Sequence, residues 1–234
     1  MTSLPTGLAL FYNNNLHFCN EYYIIIITWG ELMKTIYAQI KELIAQANPE
    51  TVFVASDFSH IAPINTVRQC LSRLEKSEQI VRVMRGVYYQ PAYSELLQEY
   101  EAPSPHHVAM ALARNFGWAI APSGAAALNM FGLSTQVPAH WSYVSDGPYR
   151  SFSFGNITIE FKHCSSKEIS GMSHKTALVI QAIKALGKEN IDKENLQRIR
   201  RTLSVEERVA LIEEAKRTTA WIYEAIKKVC KQTE

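Results

Sequence analysis

INTVRQCLSRLEKSEQIVRVMRGVYYQP, residues Ile64 to Pro91, carries two periodicities in succession. In its first half Ile64, Val67, Cys70, Leu71 and Leu74 fall on one face of a 3.6-residue repeat, which predicts an amphipathic helix over 64–76. The opposite face holds Asn65, Gln69, Ser72 and Lys76, with Arg68 and Arg73 at its flanks. In its second half Ile80, Val81, Val83, Val87, Tyr88 and Tyr89 favour strand, and Arg85-Gly86 supplies a tight turn. A helix with a polar, basic outer face is thus followed by a short hairpin.

Upstream, Ile36, Ile40, Leu43, Ile44 and Ala47 predict a first helix that stops near Asn48-Pro49. TVFVA, Thr51 to Ala55, reads as a short strand; Ser56 and Asp57 offer an N-cap for a short second helix reaching about Ala62, before a break at Pro63. Helix, turn, helix and hairpin in that order predict a winged helix-turn-helix over 33–91. In such a unit Asn65 and Gln69 suit adenine edges and Arg68 and Arg73 suit guanine, with Thr66 beside them. Ser72 and Lys76 suit phosphates, and Arg82 and Arg85 would lie on or near the wing tip. Between Ile64 and Gln90 five basic residues face two acidic ones, so the positive charge sits where double-stranded DNA would need it. The alternative is a winged helix that docks another protein without reading DNA.

Beyond the hairpin the punctuation changes. Pro103 and Pro105 predict a linker over 92–104 and a second domain over 105–234. Ser104 followed by Pro105 predicts a helix start, Gly117 its end, and Ser123 the cap of a further helix closing at Phe131-Gly132. From Trp141 the period falls to two: WSYVS, an Asp146-Gly147 turn, SFSF, a Gly155-Asn156 turn, and ITIEFK predict three antiparallel strands. Helix returns with Ala177, Ile180, Ile183 and Leu186, then an Asp192-capped helix, then a longer one opened by the Ser204–Glu207 capping box. Val205, Val209, Ile212, Thr219, Ile222, Ile226 and Val229 are expected to form its inner face, packed on its own domain, with a dimer or toxin contact as the alternative. The expected fold class is α+β: an N-terminal winged helix-turn-helix, then a mixed domain with a small antiparallel sheet and C-terminal helices.

Composition narrows the function classes. With 47% hydrophobic and 20% charged residues, the chain has the material for a packed core and is not of the disordered type. A net charge of +2 is too small to mark a nucleic-acid binder by itself, so the local distribution must carry that reading. Cys19, Cys70, Cys164 and Cys230 are scattered without a CxxC pair, which predicts neither a zinc site nor a disulfide framework and suits a cytoplasmic protein. YYIIIITW, Tyr22 to Trp29, is too short for a membrane span, and no Lys or Arg precedes Lys34, so neither a membrane partner nor a signal peptide is expected. Residues 1–32 are expected to be a non-structural extension or a mis-assigned start, since Trp29-Gly30-Glu31 must be encoded by a purine-rich string suited to ribosome binding just before Met33. The alternative for this stretch is a short N-terminal strand.

No catalytic set emerges. His106-His107 lacks the i,i+4 spacing of a zinc helix, His140, His163 and His174 stand apart, and Cys164 beside His163 on a strand would point to the other side. Neither a GxSxG nor a GxxxxGK[ST] pattern occurs. Neither catalytic residues, a metal nor a cofactor is expected, and a nuclease or transferase remains the weakest of the three readings.

The helix pair leading into Leu71-Ser-Arg-Leu74 and then IVRVMRGVYYQP resembles the N-terminal domain of AbiEi-type antitoxins of the type IV, abortive-infection toxin–antitoxin systems. PSGAAALNMFGLSTQVP, Pro122 to Pro138, is similar to that family's small-residue helix ending in a Gly-Leu turn. The resemblance covers roughly Met33 to Gly187, and the first 32 residues depart from it. It implies a DNA-binding antitoxin that represses its own operon by binding its own promoter. It also implies a nucleotidyltransferase-like toxin as functional partner and leaves direct contact between the two open.

Overall fold

The computed structural model describes residues 34–231 except 49, 97, 136–137, 166–168 and 170. The expectations for residues 1–32, Cys19 included, lie outside the described residues. The fold is α+β, with small sheets and several C-terminal helices.

The first sheet is built from β1 (Val52–Val54), β2 (Val81–Met84) and β3 (Val87–Tyr89) in the order β1-β3-β2, both pairs antiparallel. β1 and β3 are buried along their whole length. The period of two explains why so short an apolar run is needed: each strand sends alternate side chains to opposite faces, and both faces are covered. Phe53 and its partner Tyr88 join α1 (residues 34–46) and α2 (Ile64–Lys76) in one apolar cluster. Val52 with Tyr89, and Val54 with Val87, face a second cluster built around α3 (Pro105–Phe116).

Two local expectations change here. The helix expected from Ser56 to Ala62 is a single 3-10 turn, Ala55–Phe58, because β1 holds the chain extended through Val54 and Pro63 opens the next helix. Asp57 still works as a cap, its carboxylate accepting from the Val54 N–H at 2.9 Å. Ile64, expected on the inner face of α2, is 37% exposed, since the first turn of that helix projects past the core that Val67, Cys70, Leu71 and Leu74 fill.

The stretch read as a linker, 92–104, contains a two-stranded hairpin, β4 (Tyr93–Ser94) with β5 (Glu99–Tyr100). α3 then opens on Pro105 and closes at Gly117, whose φ of +69° is the left-handed conformation that favours glycine. The second large sheet comprises β6 (Ile120–Pro122), β7 (His140–Ser145), β8 (Arg150–Phe154) and β9 (Ile157–His163) in the order β6-β7-β9-β8. Helix α4 (Ala125–Met130) follows β6. Its N-cap is Gly124, not Ser123, whose N–H is held in register by the Ser142 carbonyl at 2.8 Å.

Three antiparallel strands were expected from the turn signals, and one pair departs from that: β8–β9 is antiparallel but β7–β9 is parallel. β9 slots between β7 and β8, so residues 146–149 bridge two inter-strand spacings, roughly 10 Å. The burial explains the order. Ile159 and Phe161 of β9 are fully buried and suit a central strand, whereas Phe152 and Phe154 of β8 are half-buried and suit an edge. The bridge is pinned by Asp146, which accepts from the Ala119 N–H at 2.9 Å, and by Gly147, where a side chain would run into the Trp118 indole.

The C-terminal third is helical: α5 (His174–Leu186), α6 (Lys193–Arg201), α7 (Val205–Glu214) and α8 (Ala220–Cys230). Asp192 caps α6, and Ser204 with Glu207 forms a reciprocal capping box on α7. The single long helix expected after Ser204 is broken by a 3-10 turn at Ala215–Arg217 and an extended Thr218. This breaks the expected stripe too. Ile222, Ile226 and Val229 are buried with Leu211 in a third apolar cluster, but Val205 and Val209 are each 62% exposed.

Candidate nucleic-acid interface

α2 sits on the sheet through Val67, Cys70, Leu71 and Leu74, and that burial fixes which side chains face outward. Asn65, Arg68, Gln69, Arg73 and Lys76 are exposed, and Thr66 and Ser72 are half-buried. Arg68 and Asn65, one turn apart, approach to 3.5 Å between Nη1 and Oδ1, a separation at the outer limit of a hydrogen bond. Among the described residues none of Arg68, Arg73 and Lys76 has a carboxylate partner.

The hairpin brings Arg82 and Arg85 to the same unit. Arg82 lies opposite Tyr88 in the β2–β3 ladder, hence on the sheet face that carries α2. Burial raises the Tyr88 hydroxyl's pKa, while the Arg82 charge lowers it and the Glu75 charge of α2 raises it. Arg82 Nε donates to the Met84 carbonyl at 3.4 Å, which lays the guanidinium along its own strand. Arg85 is exposed in the turn, beside Gly86 with φ +80°. The structure therefore brings α2 and Arg82 together on one face and places Arg85 at the hairpin tip. The carboxylates of Glu75 and Glu78 are the acidic groups nearest in sequence.

Arg114 of α3 ties this unit to the rest of the chain. Its Nε and Nη2 donate to the two Asp57 oxygens at 2.9 and 3.2 Å, and Nη2 donates to the Val52 carbonyl at 2.8 Å. Sequence spacing holds no trace of this clamp, because its partners lie about sixty residues apart. Arg114→Ala is expected to lower stability by about 1–2 kcal/mol, measured by chemical denaturation, through loss of the Val52 carbonyl's donor and one side of Asp57. Arg114→Lys should not restore it, since an ammonium lacks the planar fork. An unchanged midpoint in both variants would refute the clamp.

A second cluster of polar groups lies under α3. His106 sits 6.0 Å from both the His174 and Tyr143 rings and 6.2 Å from His107, and its Nδ1 shares a hydrogen bond with the Tyr143 hydroxyl at 3.2 Å. His107 instead points to Glu50, 3.7 Å away. No spacing rule pairs His106 with His174; the fold does so by bringing the first turns of α3 and α5 near one another. His140 is exposed, and His163 Nδ1 lies 2.9 Å from the Gly147 carbonyl. Among the described residues no group of three or more His, Cys, Asp or Glu side chains is arranged to hold a metal ion.

Burial, with His174 and His107 nearby, pushes His106 down to about 4 from 6.5. As pH falls from 6.5 toward 4 the unfolded chain takes up a proton that folded His106 refuses, so stability is lost across that window. The loss is about 2 kcal/mol once the ring's partial exposure is allowed for. Denaturation midpoints between pH 7 and pH 4 should show it, and His106→Gln should flatten the profile; an equally steep profile in that variant would refute the assignment.

Fold and surface together define an α+β protein with one cluster of exposed basic groups on α2 and the adjoining hairpin. Residues 39–211 match the DUF6088 family, described as a family of unknown function, and the chain belongs to that family. No curated protein matches the chain. Among the described residues no helix is long and apolar enough to cross a membrane.

Proposed function

We propose that the chain is a sequence-specific DNA-binding protein of winged helix-turn-helix type, an antitoxin and autorepressor acting in the cytoplasm. The observation that carries the reading is the outward face of α2, where Asn65, Arg68, Gln69, Arg73 and Lys76 are exposed and, among the described residues, without carboxylate partners, beside the Arg82 and Arg85 hairpin. Asn, Gln and Arg are the side chains that pair bidentately with base edges, and the remaining cations suit phosphates. α2 would enter the major groove and the hairpin the flanking backbone or minor groove. The antitoxin role and its functional partner, a nucleotidyltransferase-like toxin, rest on the AbiEi resemblance alone. In this reading the chain carries no reaction of its own.

The test is a gel-shift titration of the full chain against the DNA upstream of its own gene, with scrambled DNA as control, at several salt concentrations. Preferential binding that weakens steeply with salt is the expected result. Binding no tighter than to the scrambled control at low salt would overturn the reading and leave the basic face to a protein partner.

A further inference from the structure

Two surfaces of this chain complement one another and neither belongs to the basic face of α2. The first is the β4–β5 hairpin. Tyr93 and Tyr100 pair across it edge to face, 5.3 Å between centroids, and both rings are largely exposed; Leu96 in its turn is 92% exposed. Glu95, Glu99 and Glu101 surround these apolar groups, all exposed, and no Lys or Arg occurs between Pro91 and Ser104. A segment of net charge −3 is repelled by a nucleic acid, and an exposed aromatic pair already packed against itself loses little freedom when it docks.

The second surface is a groove of about 290 Å³ between α6 and the end of α8. Its floor is Leu196 and Val229, both buried, and its walls are Lys193, Arg200, Lys228 and Lys231; among the described residues no acidic side chain lines it. Arg200 Nη1 donates to the Val229 and Lys231 carbonyls at 2.8 and 2.7 Å, which seats it at the end of α8. Among the described residues Lys193, Lys228 and Lys231 have no carboxylate partner.

We propose that the β4–β5 hairpin of one copy seats in the α6–α8 groove of a second copy, Tyr93, Leu96 and Tyr100 on the apolar floor and the three glutamates against the lysine walls. An acidic, apolar hairpin and a basic groove with an apolar floor match in charge and character, and both are carried by every copy of the chain. One hairpin in one groove is a small interface, so the association is of the weak, salt-sensitive class.

Sedimentation of the full chain over a wide concentration range, at low and high salt, tests this. The wild-type mass should rise above that of a monomer with concentration at low salt. Glu95→Lys with Glu99→Lys, and separately Lys193→Glu with Lys228→Glu, should each weaken self-association by about tenfold or more, because like charges then meet. All four positions are exposed, so folding should be unaffected. Mixing the two variants should restore association, since each then meets an oppositely charged partner surface. A strictly monomeric wild type would overturn the proposal and leave the two surfaces to other partners. So would variants that associate like wild type, or a mixture that fails to pair. Groove variants that keep self-association but lose DNA affinity would overturn it too, assigning the groove to nucleic acid.

Discussion

Replacing Arg68 and Gln69 together with alanine is expected to weaken binding to the DNA upstream of the gene by about 30-fold or more, since each bidentate base contact contributes about 1–3 kcal/mol of discrimination. Both side chains are exposed on α2 and neither contributes to the cluster that holds the helix on the sheet, so the denaturation midpoint should not move. The loss should be confined to the specific sequence. Lys76→Ala and Arg85→Ala should instead weaken specific and scrambled DNA alike and reduce the salt slope by about one each, as phosphate contacts do. If the double variant retains wild-type preference, the outward face of α2 is not the reading surface, whatever else binds DNA.

Phe161→Ala is expected to cost about 3–5 kcal/mol of stability, a large part of what holds a domain of this size together. Phe161 is fully buried in the central strand β9 and packs edge to face on Trp118 at 5.5 Å and on Phe152 at 5.9 Å, with Tyr143 at 5.8 Å. Removing the ring empties the meeting point of β7, β8, β9 and the end of α3, and three aromatic neighbours cannot collapse into the space together. Val209→Ala is the matched control: at 62% exposed it should shift stability by no more than about 0.5 kcal/mol. Chemical denaturation of both variants reads the difference, and a Phe161→Ala loss below the control's would place the core elsewhere.

Much of the local structure could be read along the chain. The stop at Gly117, the caps at Asp192 and Ser204, the strands of ITIEFK and VYY and the inner face of α2 all follow from short-range rules, because a cap or a period involves residues within a turn of one another. Departures came where a local signal met a constraint from afar. Asp146-Gly147 looks like a hairpin turn, but β9 enters between the two strands it joins. Val205 and Val209 continue an apolar stripe that the break at Ala215–Arg217 rotates away from the core. The short apolar runs TVFVA and VYY mark strands with both faces covered, yet nothing in them says that α3 covers one of those faces.

The candidate site divides the same way. Which side chains of 64–76 point outward is a property of the sequence, since a helix whose inner face is Val67, Cys70, Leu71 and Leu74 can present only the rest. That Arg82 shares a sheet face with α2, that Arg114 reaches Asp57, that His106 meets His174 and Tyr143, and that a basic groove opens between α6 and α8 were decided by tertiary packing alone. The physical reason is range: hydrogen-bonded turns and periods are set by neighbours a few residues apart, whereas these contacts join residues from six to about seventy positions apart, and only the burial of three apolar clusters brings them together.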